Sequence, residues 1–224
     1  DSKKNKIIQK YSNKSPNILY QIHEDSSFSF SPAWLFYLYK NQSIIEGWAK
    51  YKLVDFLQRR NPNVPAINNK IGLPQKRNLN AAKKYWKLFL YSNKIRDVYS
   101  SEILYADNIS IDHFIPWKFV MHDLIWNLIP TVKTLNSSKN DRLPPWDVYF
   151  NKFTDIQFDA FRWYKTWHPG HKSLEDYLLI DGRFLNIDFS KEQFKKYIEK
   201  TIRPIYTIAE NQGLNLMALE IENQ

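Results

Sequence analysis

Apolar residues recur at helical spacing along most of the chain, and this pattern breaks between residues 98 and 113. Two short β-prone pieces, 103–105 and 109–113, flank a turn at 107–108 there, which predicts a two-strand hairpin. With 5 Gly and 16% aromatic residues, the chain is compact rather than linker-rich. We therefore predict an α+β, mostly helical fold, in which a helical body carries one small ββα insert.

Start and stop signals in the first third of the chain predict two helices. Ser31 followed by Pro32 is an N-cap with proline at the first helical position, and that helix continues toward Lys40. Ser43 to Glu46 fits a capping box, and the helix that follows ends at Arg59-Arg60, before Asn61-Pro62.

Further helical patterns flank the β-prone stretch on both sides. They cover about residues 79–90, 146–165 and 173–179, and Asn61 to Asn78 is predicted to be an ordered loop. Ser190 to Gln193 is a second capping box, so a last helix begins there, is interrupted by Pro204 and stops near Gly213.

Positive charge is concentrated in the first half of the chain. Residues 1–100 hold 18 Lys+Arg and 6 Asp+Glu, a net of +12, whereas the rest hold 14 and 17, a net of −3. This asymmetry favours a polyanionic partner, and the alternative is the Lys- and Asn-rich composition typical of an AT-rich genome. The predicted phosphate contacts are Lys70, Lys76, Arg77, Lys83, Lys84 and Lys87. The alternative for the lysines of the predicted 79–90 helix is a solvated face.

The chain has no cysteine, which excludes disulfides, thiolate zinc ligands and a cysteine nucleophile. Any metal must therefore be held by Asp, Glu, Asn or His. No apolar run approaches the roughly 20 residues of a membrane span, so we expect a soluble, cytoplasmic protein without a membrane partner.

Polar residues at fixed spacings follow the β-prone stretch. Asp112-His113 comes first, Asn127 lies 14 residues after His113, and Asn136 lies 9 residues after Asn127. This pattern resembles the motif of HNH (ββα-metal) nucleases, and its flanks resemble the HNH domain of RNA-guided CRISPR nucleases at Pro116, Lys139, Asp141 and Pro144. The resemblance covers about residues 98–144. Residues 60–65 and the helices around them also resemble the helical leader of uncharacterised bacterial HNH proteins, more weakly.

The resemblance implies three regions: a basic helical domain over 1–97, the HNH motif over 98–144, and a C-terminal helical region over 145–224. Asp112 and Asn136 supply oxygen ligands suited to a hard divalent cation, most simply Mg²⁺, with Mn²⁺ as a substitute. Asn136, Lys139 and Asn140 are spaced to share one helix face, and Asn140 occupies a position where some HNH enzymes place a further ligand.

The remaining roles follow from the same resemblance. His113 is the general base, Asn127 ties the connecting loop together, and Lys139 reaches the phosphate. Many HNH proteins brace the hairpin with a cysteine-bound zinc, so hydrophobic packing must replace that brace here, through Phe114, Trp117, Phe119 and Trp126. His122, His168 and His171 are interpreted as loop histidines, and the abundant Trp and Tyr as mostly core, although an exposed ring could stack on an unpaired base.

Three functions of different class fit these observations. The first is an HNH endonuclease or nickase that cuts DNA, as a homodimer or in two binding events if both strands are cut, with restriction or anti-phage defence as the setting by analogy. The second is a nucleic-acid-binding subunit of a larger protein or ribonucleoprotein assembly, whose HNH site acts only with its partners. The third is a helical interaction protein with a degenerate ββα insert. It is the weakest of the three, because it gives no reason for the polar site residues to be retained together.

Overall fold

A computed structural model of the chain describes residues 2–12, 18–23, 25, 27–72 and 77–218. Lys76, one of the predicted phosphate contacts, lies outside the described residues. The chain divides into two compact units, residues 1–61 and 62–224. The division into 1–97, 98–144 and 145–224 expected from the sequence remains a prediction.

The first unit combines a small sheet with helices. Its elements are α1 (Ser2–Ser12), β1 (Tyr20–Ile22), β2 (Phe28–Phe30), α2 (Pro32–Lys40) and α3 (Gln42–Arg60). β1 and β2 are antiparallel, with Tyr20 opposite Phe30. No described side chain of this unit is buried.

The predicted helices of the first unit are confirmed, with one correction. Ser31 caps α2 by accepting a hydrogen bond from the backbone N–H of Trp34 at 3.4 Å, and α3 ends at Arg60 as predicted. The capping box at Ser43 is wrong, because α3 already begins at Gln42 and no side chain caps its first turn.

The second unit is mostly helical and contains a second small sheet. Its helices are α4 (Ile67–Ile71), α5 (Asn80–Ser92), α6 (Trp117–Val120), α7 (Lys133–Lys139), α8 (Trp146–Trp167) and α9 (Lys191–Asn211). Its strands are β3 (Ser110–His113) and β4 (Leu128–Thr131), and 3₁₀ turns cover Ala106–Asn108, Ile125–Asn127, Lys172–Leu179 and Phe184–Asn186. The α+β, mostly helical fold with a ββα segment, here β3, β4 and α7, is therefore confirmed.

The predicted pairing of β3 is wrong. β3 pairs antiparallel with β4, with Asp112 opposite Ile129 and His113 opposite Leu128, and not with residues 103–105. Ile103 instead forms an isolated bridge with Arg96. All four residues of β4 are buried, whereas the 103–105 piece is half-exposed. Pairing β3 with β4 therefore buries more apolar surface than pairing it with 103–105 would, and this burial stabilises the observed sheet.

The helical body fixes the ββα segment through side chains of α8. Phe114, directly after β3, stacks on Phe153 with ring centroids 4.3 Å apart. The buried amide of Gln157 donates hydrogen bonds to the carbonyl oxygens of Ile125, at 3.1 Å, and Leu128, at 2.6 Å. These contacts hold the start of β4 without a metal. Of the predicted brace, Phe114, Phe119 and Trp126 are buried and Trp117 is half-buried.

α9 begins as predicted and continues further than predicted. Ser190 and Gln193 form the expected capping box, but the helix is continuous through Pro204 to Asn211. Ile202 and Tyr206, on either side of Pro204, are both buried, and their packing outweighs the missing hydrogen bond. Among the described residues, no helix has the length and apolar character that a membrane crossing requires.

Candidate functional site

Asp112 and His113 lie at the end of β3 and are both buried in the second unit. Both also line one pocket, of ≈ 140 Å³, together with Arg77, Asn136 and Asn140. Adjacent residues of a regular strand point to opposite faces, so the strand end at His113 lets both side chains reach the same pocket. The structure therefore brings the predicted pair and Asn136 together.

The carboxylate of Asp112 is held by two buried partners. The ammonium of Lys139 lies 3.0 Å from its Oδ2 atom, and the hydroxyl of Tyr99 donates to the same atom at 2.6 Å. Burial, together with the charge of Asp112, raises the pKa of Tyr99 well above its usual value. Tyr99 therefore stays protonated and remains a donor to Asp112.

Lys139 lies in the interior of the second unit, a position that the sequence did not predict. Its side chain is fully buried, and its ammonium also donates to the carbonyl oxygen of His113 at 2.7 Å. The expectation that Lys139 reaches a phosphate stays a prediction, and in this structure its partners are Asp112 and His113. The ammonium ties α7 to the end of β3 and orients Asp112 and the backbone of His113.

His113 pairs with Asp123, a residue of the loop between β3 and β4. The Nε2 atom of His113 lies 2.8 Å from the Oδ1 atom of Asp123. Burial alone would raise the pKa of Asp123. The pKa is nevertheless lowered overall, by the hydrogen bond and charge of His113, by the backbone N–H of Asn78 and by the charge of Arg77. An ionised Asp123 can accept a hydrogen bond from Nε2–H, and in that tautomer of the neutral ring Nδ1 carries the lone pair.

Asn136 lies on α7, as predicted, and its side chain faces β3. Its amide nitrogen donates to the hydroxyl of Ser110 and to the carbonyl oxygen of Ile111 at 3.3 Å. No described residue bonds its side-chain oxygen, so this oxygen is available as a ligand in the pocket.

The two other asparagines differ from each other. The buried side chain of Asn127 accepts from the backbone N–H of Ile115 and donates to its carbonyl oxygen, both at 2.9 Å. These are the loop-tying bonds expected of it. Asn140 lies one residue beyond α7 with φ of 48°, so the prediction that it shares a helix face with Asn136 and Lys139 is wrong. Its side chain still lines the pocket.

Residues 90–145 match the family model described as HNH endonuclease. These residues form an HNH endonuclease domain. The matched segment contains the pair Asp112-His113, the loop residues Asp123 and Asn127, and Asn136 on α7. No curated protein and no solved structure matches the chain. The match supports nuclease activity, the hydrolysis of nucleic acid, for this domain.

Sequence reasoning missed three residues that support the HNH domain: Tyr99, Asp123 and Asp97. The buried carboxylate of Asp97 accepts from the hydroxyl of Thr131 at 2.6 Å and from the backbone N–H of Val132 at 2.8 Å. It thereby fixes the step from β4 into α7. A signal existed only for Asp123, an acidic residue between the two motif elements.

The predicted phosphate contacts occupy different positions around the HNH domain. Arg77 lines the site pocket, and Lys70 lines a neighbouring pocket that shares Trp117, Asn140 and Asp141 with it. Lys83 and Lys84 are exposed on α5. Lys87 is paired with Asp107 at 3.2 Å, which makes it a weaker candidate.

The pocket of the HNH domain offers few metal ligands of its own. Among the described residues, no cluster of three or more His, Cys, Asp or Glu could hold a metal ion. Its donors are two carboxylates, Asp112 and Asp141, and amide oxygens such as that of Asn136. Such a set fits a hard, largely hydrated cation that binds through one or two carboxylates and substrate oxygens, and the lack of cysteine excludes a thiolate zinc site.

Proposed function

We propose that the chain is a metal-dependent HNH endonuclease or nickase that hydrolyses phosphodiester bonds in DNA. One observation carries this proposal: His113, whose ring is paired with Asp123, lies at the end of β3 and lines one pocket together with Asp112 and Asn136. An oriented histidine next to a set of oxygen donors is the combination that water activation at a phosphodiester requires.

His113 acts as the general base in this proposal. Asp123 accepts from Nε2–H and so fixes the tautomer and the ring orientation, and Nδ1 takes the proton from the attacking water. Burial of His113 keeps competing solvent away from the ring. Asp123 is a positioning residue, because its contact is with His113 and not with the reacting atoms.

Asp112 and the side-chain oxygen of Asn136 would hold the divalent cation, with Asn140 as a further candidate at the pocket rim. When bound, Mg²⁺ or Mn²⁺ neutralises charge on the phosphate oxygens and assists the departing oxygen. Lys139 and Tyr99 keep the Asp112 carboxylate in one orientation. Asn127 keeps the loop after β3 closed behind His113.

The DNA backbone is held by the basic residues around the pocket. Arg77 lies in the pocket wall, and Lys70, Lys83 and Lys84 offer further cations on the same unit. Lys76 and Lys87 complete the set proposed from the sequence. One site cuts one strand, so cutting both requires a homodimer or two binding events. We place this activity in the cytoplasm, in restriction or anti-phage defence, by analogy with bacterial HNH proteins.

A specific observation favours one alternative, an HNH site that becomes active only within a larger assembly. The carboxylate of Asp112 is already engaged by Lys139 and Tyr99, and a partner could be needed to free it for a cation. The purified chain distinguishes the two cases, since the alternative predicts that it binds nucleic acid without cutting it.

The proposal is tested by incubating the purified full chain with supercoiled plasmid and Mg²⁺, Mn²⁺ or EDTA. We expect relaxed circles with either metal and unchanged plasmid with EDTA. Cutting that persists in EDTA would contradict metal dependence. Binding without cutting, under all metal conditions, would support the assembly alternative instead.

A further inference from the structure

We infer that the first unit of the chain binds an unpaired nucleic-acid strand through the aromatic rings of α3. The two units differ in how far their aromatic residues are exposed. In residues 1–61, ten of the eleven Phe, Trp and Tyr residues are exposed, whereas in residues 62–224 three of twenty-five are. The expectation that aromatic residues are mostly core is confirmed in the second unit and wrong in the first.

The exposed rings of α3 lie on one side of the helix. Trp48 is 62% exposed, Tyr51 64% and Phe56 51%. Their spacing of three and five residues places all three within less than half of the helix circumference, over roughly 12 Å of its axis. Trp48, Tyr51 and Phe56 are called the α3 aromatic face below.

Cations accompany these rings. Lys52 lies over the ring of Tyr51 at 5.8 Å, and the guanidinium of Arg60 lies over Phe56 at 4.4 Å. Arg59 shares this side of the helix but is paired with Asp55 at 3.1 Å. Lys52 and Arg60 therefore remain available for phosphates, since no described carboxylate pairs with them.

The charge of the first unit favours a nucleic-acid strand over a second copy of this unit as the partner of the α3 aromatic face. Residues 1–61 hold 10 Lys+Arg and 5 Asp+Glu, a net of +5. A second copy of this unit would bring two positive surfaces together, whereas a nucleic-acid strand supplies negative charge for the cations and flat bases for the rings. Bases of a duplex are already stacked, so the rings favour an unpaired strand.

This inference rests on the proposed function, because it assigns the nuclease a substrate with an unpaired segment. Stacking on aromatic rings does not distinguish DNA from RNA, so the shared chemistry is an unpaired polynucleotide. Binding does not require the HNH site, so it can be measured where no cutting occurs.

The test measures binding of the full chain to fluorescent oligo(dT), oligo(U) and a duplex of equal length, by anisotropy in EDTA. We expect the α3 aromatic face to contribute to the binding of oligo(dT) and not to that of the duplex. The triple variant Trp48→Ala, Tyr51→Ala, Phe56→Ala should weaken oligo(dT) binding at least about tenfold. Trp167→Ala is the matched control, because Trp167 is an equally exposed ring, 69%, in the other unit. It should leave the affinity unchanged.

A second variant separates rings from charge. The double variant Lys52→Gln, Arg60→Gln keeps the rings, and it should flatten the salt dependence of oligo(dT) binding. Comparable binding of oligo(U) extends the site to RNA, and weaker binding restricts it to DNA. Both results support the inference.

Three results would overturn the inference: an equal loss of duplex and oligo(dT) affinity in the triple variant, unchanged oligo(dT) affinity in that variant with its oligomeric state also unchanged, or loss of a dimer in that variant without loss of affinity. The last result, seen by sedimentation, would assign the face to a second copy. Failure of the plasmid assay with intact oligo(dT) binding would contradict the nuclease proposal alone.

Discussion

The Nε2 atom of His113 lies 2.8 Å from the Oδ1 atom of Asp123, so a loop carboxylate fixes the ring of the proposed general base. This relationship predicts a graded effect of substitution. Asp123→Ala should slow plasmid nicking about 10- to 100-fold, because the ring loses its orientation. Asp123→Asn keeps an oxygen that can accept from Nε2–H and should retain much of the rate. Equal rates for wild type and Asp123→Ala would show that the pairing has no part in the reaction.

The buried pair of Lys139 and Asp112 should be required for stability as well as activity. Lys139→Met leaves Asp112 buried without its cation, which typically costs about 3–5 kcal/mol of unfolding free energy. Denaturant unfolding measures this loss. The double variant Asp112→Leu, Lys139→Met replaces both charges and should recover most of the stability without any nicking. A Lys139→Met protein as stable as the wild type would contradict the described pairing.

The basic residues near the site should control DNA affinity and its salt dependence. Replacing Arg77, Lys83 and Lys84 together with Gln should lower the log–log salt slope of duplex binding by up to about 3, about one unit per phosphate contact. Lys87→Gln is the control, since Lys87 is already paired with Asp107, and it should change the slope much less. An unchanged slope in the triple variant would mean that these cations only face solvent.

The fold could be predicted from the sequence where its signals are local. α2, α5 and the start of α9 follow from caps and apolar spacing within a few residues of each other. The partner of β3 could not be predicted in this way, because β4 lies beyond a loop of fourteen residues. β4 also carries Pro130, which usually argues against a strand, but it is tolerated in this two-stranded sheet.

In the candidate site, too, the features with a local sequence signal could be predicted and those that depend on packing could not. The fixed spacing of Asp112, His113 and Asn136 was readable, and the structure brings the three into one pocket. The burial of Lys139 and the bond from Tyr99 to Asp112 depend on how α7 and residues 97–99 pack, and no local pattern encodes that packing. The sequence alone therefore did not predict that Lys139 pairs with Asp112.

The pKa of His122 predicts how stability depends on pH. Burial and the nearby charge of His113 lower that pKa to about 4, whereas an unfolded histidine titrates near 6.5. The folded state therefore binds this proton less readily than the unfolded state. Its contribution, on the order of 1–3 kcal/mol, is fully present above about pH 6.5 and is lost as the pH falls toward 4.

Urea unfolding between pH 7 and pH 4 measures this dependence. His122→Gln should reduce the loss of unfolding free energy between pH 7 and pH 4. His168→Gln is the control, because His168 is exposed, and it should leave that loss unchanged. A decline of equal size in wild type and His122→Gln would assign the pH dependence to other groups.

The role of His113 is tested most directly by single-turnover nicking of supercoiled plasmid with Mg²⁺, comparing wild type, His113→Ala and His122→Gln. His113→Ala should lose about 10²- to 10⁴-fold in rate while its DNA affinity stays close to that of the wild type, since a general base is lost and no phosphate contact is. His122→Gln should nick at nearly the wild-type rate. A His113→Ala protein that nicks as fast as the wild type, with EDTA stopping both, would contradict the account and place the base elsewhere.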